Sequence, residues 1–196
     1  MMKNKIRKAL RFWYIYLIVV VASVVGTFYY VDFINRPKNE ETITLFVSSY
    51  SQNIDNLQKY LEEKAPSYIR EINIIVANPK STDLDYLMVN RGLNKADIFI
   101  LPESYLFEDL INNQFVLLNE EILNSYFSYQ SDSYNKGILI HDIGESDNSL
   151  MTFTNEKYDD ERYYLFYRNN SIHAGGLNNS SYDTSLIFTK ALLEYE

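Results

Sequence analysis

The chain has 196 residues, 18 tyrosines, no cysteine and a formal charge of −8. Without cysteine there is no disulfide framework, no thiolate metal site, no cysteine nucleophile and no lipid-bearing cysteine anchor. Lys3, Lys5, Arg7, Lys8 and Arg11 lie in the first 11 residues with no acid among them, leaving 13 basic against 26 acidic groups in the rest. Such an acidic body repels a phosphate backbone and argues against nucleic-acid binding.

The first element is "FWYIYLIVVVASVVGTFYYV", Phe12 to Val31, which is 20 residues without a charge. At about 1.5 Å per residue it spans a hydrocarbon core of roughly 30 Å. Phe12, Trp13, Tyr14 and Tyr16 lie at one end and Phe28, Tyr29 and Tyr30 at the other, as interfacial rings do. The basic cluster before it and Asp32 after it predict a cytoplasmic N-terminus and an extracytoplasmic body. A cleaved signal peptide is the rival reading, with Val24 and Gly26 as small residues before a cut. The long apolar run and its tyrosine-rich end favour a retained anchor. The expected layout is a basic tail at 1–11, a transmembrane helix at 12–33, a polar linker at 34–41 and an extracytoplasmic domain at 42–196.

The body alternates strands and helices. "TITLFVSSY" (42–50) is a β-rich apolar run. A helix follows with Ile54, Leu57, Tyr60 and Leu61 at helical spacing, Ser51 as its cap and Pro66 as its stop. "EINIIVANP" (71–79) is the second strand. The next helix takes Ser81 or Thr82 as cap and Gly92 as stop. "ADIFIL" (96–101) is the third strand, "SYLFEDLINNQ" a short helix, and "FVLLNEEILNSYF" an apolar stretch with another helical turn. "GILIHDIG" (137–144), "LMTFT" (150–154) and the aromatic "ERYYLFYRNNS" (161–171) read as strands. Residues 178–196 close with a helix capped by Ser181 or Asp183. The βαβ order predicts a three-layer α/β domain with a mostly parallel sheet, because long apolar runs suit strands buried on both faces.

In open α/β sheets ligands bind beyond the carboxyl ends of the strands. Those ends carry Ser48, Ser49 and Tyr50, then Asn78, then Glu103, Ser104 and Tyr105. These seven residues are the candidate ligand site, with hydroxyls and amides to bond a sugar, amino acid or peptide and a tyrosine ring to stack on it. The structural alternative is that serine and asparagine cap the helices that follow. The two histidines, His141 and His173, are far apart in sequence and no thiolate joins them, so no metal is expected. "YDDE" (158–161) lacks the spaced ligands and turn glycine of a calcium loop. No phosphate-cradling glycine loop, G-x-S-x-G or H-E-x-x-H occurs, and no cofactor or catalysis is expected. A hydrolase would have to assemble from dispersed residues, such as Ser104 and His141 with an aspartate. The asparagines near 169–181 match glycosylation acceptors, which matter only in a eukaryotic secretory route.

Three stretches together resemble the extracytoplasmic solute-binding proteins of ABC transporters. They are "TITLFVSSY" with its helix, "ADIFILPESYLFEDLINNQFVLLNEEI", and "YYLFYRNNS" followed by "TSLIFTKALLEYE". The last is similar to the segment where that family's chain returns to the first lobe. The resemblance implies a periplasmic-binding-protein-like lobe, noncatalytic solute capture and a transporter nearby. Family members normally have a second lobe of similar size, and only about 30 residues, 130–160, are free to form one here. They are enough for a lid. The expected function is therefore a single-pass, membrane-anchored binding or interaction protein. Its partners are the bilayer through residues 12–33, transporter or other membrane subunits, and a small solute. The alternative is an accessory docking subunit that binds no solute, its helix pairing through Ala22 and Gly26.

Overall fold

A computed structural model describes residues 2–52, 54–129, 136–147, 150–154 and 161–195, with the side chains of 2–12, 51 and 52 not described. Its contacts divide the chain into two units, Met1–Pro37 and Lys38–Glu196. The first is one helix, α1 (Met2–Asn35). Its stretch Trp13–Asn35 is long and apolar enough to cross a membrane, with a mean hydropathy of 2.1 over its most apolar part. The apolar side chains of that stretch are exposed all round, from Trp13 to Ile34. A helix that is apolar all round has the composition of a membrane span or a signal sequence.

The second unit is an α/β domain around one five-stranded sheet. Its strands are β1 (Thr42–Ser48), β3 (Glu71–Ala77), β4 (Ile98–Pro102), β5 (Ile138–His141) and β7 (Tyr163–Tyr167), in the spatial order β3-β1-β4-β7-β5. A separate ribbon pairs β2 (Ser51–Gln52) with β6 (Met151–Thr152). The pairs β1–β3 and β1–β4 are parallel, while β7 runs antiparallel to both β4 and β5. The sheet is thus mixed, which corrects the expectation of a mostly parallel one. Apolar patterning reports that a strand is buried on both faces, not which way it runs. All five side chains of β7 are buried because the strand sits inside the sheet with side chains packed on both faces.

Two cores follow from the two-residue period of the strands. On one face Ile43, Leu45, Ile98, Ile100, Leu165 and Tyr167 pack with Leu57 and Leu61 of α2 (Ile54–Lys64) and Leu186, Phe188 and Leu192 of α7 (Thr184–Leu193). On the other, Phe46, Phe99, Leu101, Tyr164 and Phe166 pack with Leu84 of α3 (Asp83–Leu87), Leu110 of α5 (Glu108–Gln114) and Phe115. Phe115 and Phe166 stack at 4.6 Å. Gly137 is fixed by this core, since a Cβ there would lie 2.8 Å from the Phe166 ring.

Three local expectations change. Ser51 lies in β2 rather than capping α2, which begins at Ile54. Gly92 does not stop a helix. The chain passes through a wide turn, Met88–Gly92, into α4 (Leu93–Lys95). The missing side chain of Gly92 instead admits the Phe46 ring, which a Cβ would meet at 3.0 Å. Asp183 stands at the cap position of α7, but its carboxylate accepts the Tyr126 hydroxyl at 2.7 Å, just beyond α6 (Glu120–Asn124).

Candidate functional site

The carboxyl ends of β1, β3 and β4 do form one rim, and its polar groups bond one another. The Ser49 amide donates to Ala77 O at 3.1 Å. The Ser49 hydroxyl donates to Thr152 O at 2.9 Å and accepts from Thr152 N at 3.2 Å, while the Tyr50 amide also donates to Thr152 O. The strand end of β1 is therefore stitched to β6, and Ser49 is fully buried. Ser48 is equally buried, its hydroxyl without a hydrogen-bond partner among the described residues. Tyr50 is half-buried beside Tyr163, whose phenol is pushed well above its ordinary value, first by burial and then by the Tyr50 neighbour.

Asn78 is exposed and makes a local turn. Its side-chain oxygen accepts from Lys80 N at 2.9 Å, the self-bonding turn that asparagine favours. Ser81 accepts from Asp83 N at 3.1 Å and so serves as the start signal of α3. The Glu103 amide donates to Arg162 O at 2.8 Å. The Ser104 amide, not its hydroxyl, donates to Glu161 Oε2 at 3.1 Å, and Lys80 Nζ meets Glu161 Oε1 at 3.2 Å. Tyr105 donates to Asp85 at 2.6 Å, and burial followed by that carboxylate raises its phenol well above the usual range. The structure brings the seven expected residues to one rim of the sheet, with the side chains of Ser49, Asn78 and Tyr105 and the amides of Glu103 and Ser104 bonded to neighbours.

Of these neighbours Glu161 ends the "YDDE" stretch, and no sequence signal places it or Arg162 at this rim. Glu161 and Arg162 precede β7, and only the reversed direction of β7 brings them to this rim. Arg162 pairs with Asp142 at 2.8 Å. The hydrogen bond from Arg162, then that from Ile143 N, holds the Asp142 carboxyl below its ordinary range. His141 is buried, its ring 5.2 Å from Phe153 and edge-on to Tyr163 at 6.1 Å, whereas Ser104 is exposed. A register shift between Leu139 and His141 turns that histidine inward. Tyr158, Asp159 and Asp160 of "YDDE" lie outside the described residues, as do 130–135, 148–149 and 155–157 of the stretch 130–160 expected to form a lid, whose described parts include β5 and β6. Among the described residues no three His, Asp or Glu side chains gather as a metal-binding group.

The opposite end of the sheet holds a cleft of about 410 Å³, lined by Thr42, Thr44, Asn73, Lys95, Asp97 and Arg168 among others. Behind it runs a buried network. Asp97 accepts from Thr44 N at 3.0 Å and from the Ser171 hydroxyl at 2.7 Å. Ser171 in turn accepts from His173 N at 3.1 Å. His173 is fully buried, with Nε2 at 2.9 Å from Thr42 O and Nδ1 at 3.2 Å from Thr184 Oγ1. Two carbonyls face Nε2, so that nitrogen carries the proton. No sequence signal flags this cleft, because its groups come from inside apolar strands and from segments more than 70 residues apart.

No protein-family model and no curated protein matches the chain.

Proposed function

We propose that the chain is a single-pass membrane protein whose acidic domain lies outside the cytoplasm and acts as a noncatalytic interaction module. The periplasmic-binding-protein-like lobe remains its architectural kin. Support for that kinship comes from β7, a return strand inserted beside β4 and followed by a loop and α7, where the resemblance places the re-entry of the chain. Apolar length and flanking charge support retention of α1 in the membrane, N-terminus inside.

The observation that carries the interaction reading is the state of the rim. Solute capture needs convergent donors and acceptors open to a ligand. Here the Ser49 and Tyr105 hydroxyls are engaged with Thr152 and Asp85, and the Glu103 and Ser104 amides with Arg162 and Glu161. Beside the Asp85–Tyr105 bond stand large exposed rings instead. Tyr86 is 65% exposed, and Phe107, 55% exposed, lies against Tyr105 at 6.1 Å. Exposed aromatics of this kind mark protein contacts. Docking on other membrane subunits, such as those of a transporter, is favoured over open-rim binding of a sugar, amino acid or peptide.

The test is purification of the full chain from its native membrane in mild detergent, with mass spectrometry of what accompanies it. The expected result is a fixed ratio to membrane subunits that is lost in a Tyr86→Ser/Phe107→Ser double variant. Recovery of the chain alone, together with a melting shift on adding a sugar, amino acid or peptide, would return the rim to solute binding.

A further inference from the structure

We propose that the cleft at the amino ends of β1 and β3 is a phosphate-binding site, with Arg168 and Lys95 as its cationic contacts. Nothing in this inference depends on the interaction role above, since the cleft lies at the other end of the sheet.

The cleft volume of about 410 Å³ suits a small polar ligand. Its charge comes from two cations, Arg168 and Lys95, against one carboxylate, Asp97. That carboxylate is already committed. One oxygen accepts from Thr44 N and the other from the Ser171 hydroxyl, so it is a strut between β1, β4 and the loop after β7. Among the described residues Arg168 has no counter-ion. Its side chain donates there only a long hydrogen bond, from Nη1 to Leu93 O at 3.3 Å, and its Nε is buried with no partner among them. A guanidinium offers five donors, and burying one unpaired is costly. Lys95 is exposed, with its charge free to reach a ligand.

The chemistry that answers this arrangement is a tetrahedral oxyanion. A guanidinium edge takes two of its oxygens in a fork, and a lysine adds a point charge. Asn39, Asn73, Asn94 and Asn170 surround them with amides that can donate to a remaining oxygen or to hydroxyls on the ligand. A neutral sugar would leave both cations unanswered. The phosphate can come from a lipid headgroup or from a soluble phosphate ester. Asn39 stands only four residues beyond Asn35, the last residue of the apolar helix.

The experiment uses the full chain in a phosphate-free maltoside detergent and reads the melting temperature by near-ultraviolet circular dichroism. One arm titrates inorganic phosphate against chloride at equal ionic strength. The other adds short-chain phosphatidylglycerol against a phosphate-free diacylglycerol. A rise of about 3 °C in either arm is expected near saturation. Lys95→Ala, at an exposed position, should weaken the midpoint about tenfold, and Arg168→Lys, which keeps the charge but loses the fork, by a similar factor. A rise with the lipid alone makes the ligand a headgroup, and a rise with inorganic phosphate makes it a soluble ester. No rise beyond the controls in either arm, or a rise unchanged in both variants, would overturn the proposal.

Discussion

At the carboxyl ends of the parallel strands, Ser49, Glu103, Ser104 and Tyr105 are tied to Thr152, Arg162, Glu161 and Asp85. At the amino ends, Asp97, Ser171 and His173 form an equally closed network, but Arg168 in front of it keeps an unanswered donor. The fold rule for open α/β sheets directs attention to the first end. The bonding pattern directs it to the second. The difference lies in β7. Because that strand is reversed, it delivers Glu161 and Arg162 to the carboxyl rim, where they close it, and Arg168 to the amino rim, where it leaves a charge facing a cleft.

The two ends also differ in how much stability rests on single groups, and substitution of Asp97 should show the largest effect. Asp97 is 6% exposed, and its carboxylate holds both the Thr44 amide and the Ser171 hydroxyl. Asp97→Ala leaves a buried strand amide without its acceptor and should cost about 3 kcal/mol. Asp97→Asn, which can still accept one of the two bonds, should cost about half as much. Urea unfolding of the full chain in detergent measures both. A cost below about 1 kcal/mol for the alanine variant would mean that the amino-end network does not hold β1 to the loop after β7.

The carboxyl end should be more forgiving and uneven. Ser49→Ala removes the hydroxyl that bonds Thr152 both ways, inside a fully buried site, and should cost about 1–2 kcal/mol in the same unfolding assay. Ser104→Ala should change stability by less than about 0.5 kcal/mol, because the bond to Glu161 comes from the amide and survives the substitution. Equal costs for the two serines would break the distinction between a stitched residue and a bystander.

These residues also show what a sequence can disclose. The βαβ order, the strand cores and the helix faces were legible because burial on one or both sides leaves a period in the residues, as Leu57 and Leu61 do. The apolar helix was legible from length alone. The three strand ends were placed together correctly, since parallel connectivity forces them to one rim. The direction of β7 left no such trace, and with it the places of Glu161, Arg162 and Arg168 at the two rims stayed out of sight. Asp97 was hidden for another reason. A single acid at the start of "DIFILP" reads as a strand boundary, and only the fold shows that it meets Ser171, 74 residues later.

The smallest effect expected is one of pH, and it belongs to the amino end. The Tyr126 hydroxyl donates to Asp183, which stands at the entry of α7. That bond, then partial burial, pushes the phenol up to about 12. In an unfolded chain a tyrosine titrates near pH 10. The folded value is the higher one, so the contribution of Tyr126 to stability is fully present below about pH 10 and is lost as the pH rises towards about 12. Tyr126→Phe should therefore flatten the alkaline fall of unfolding free energy by up to one proton's worth of slope, leaving the slope below pH 9 or so unchanged. Urea unfolding at a series of pH values, with the tyrosinate absorbance difference between wild type and variant, measures it. An unchanged alkaline slope would mean that the Asp183 contact does not outlast ionisation of the neighbouring tyrosines, Tyr68 among them. Tyr68 is itself raised, mainly by burial, and bonds Thr184 at 2.9 Å in the same cluster. The Asp183 carboxylate also faces Tyr68, so Tyr68→Phe, measured alone and together with Tyr126→Phe, separates the two contributions.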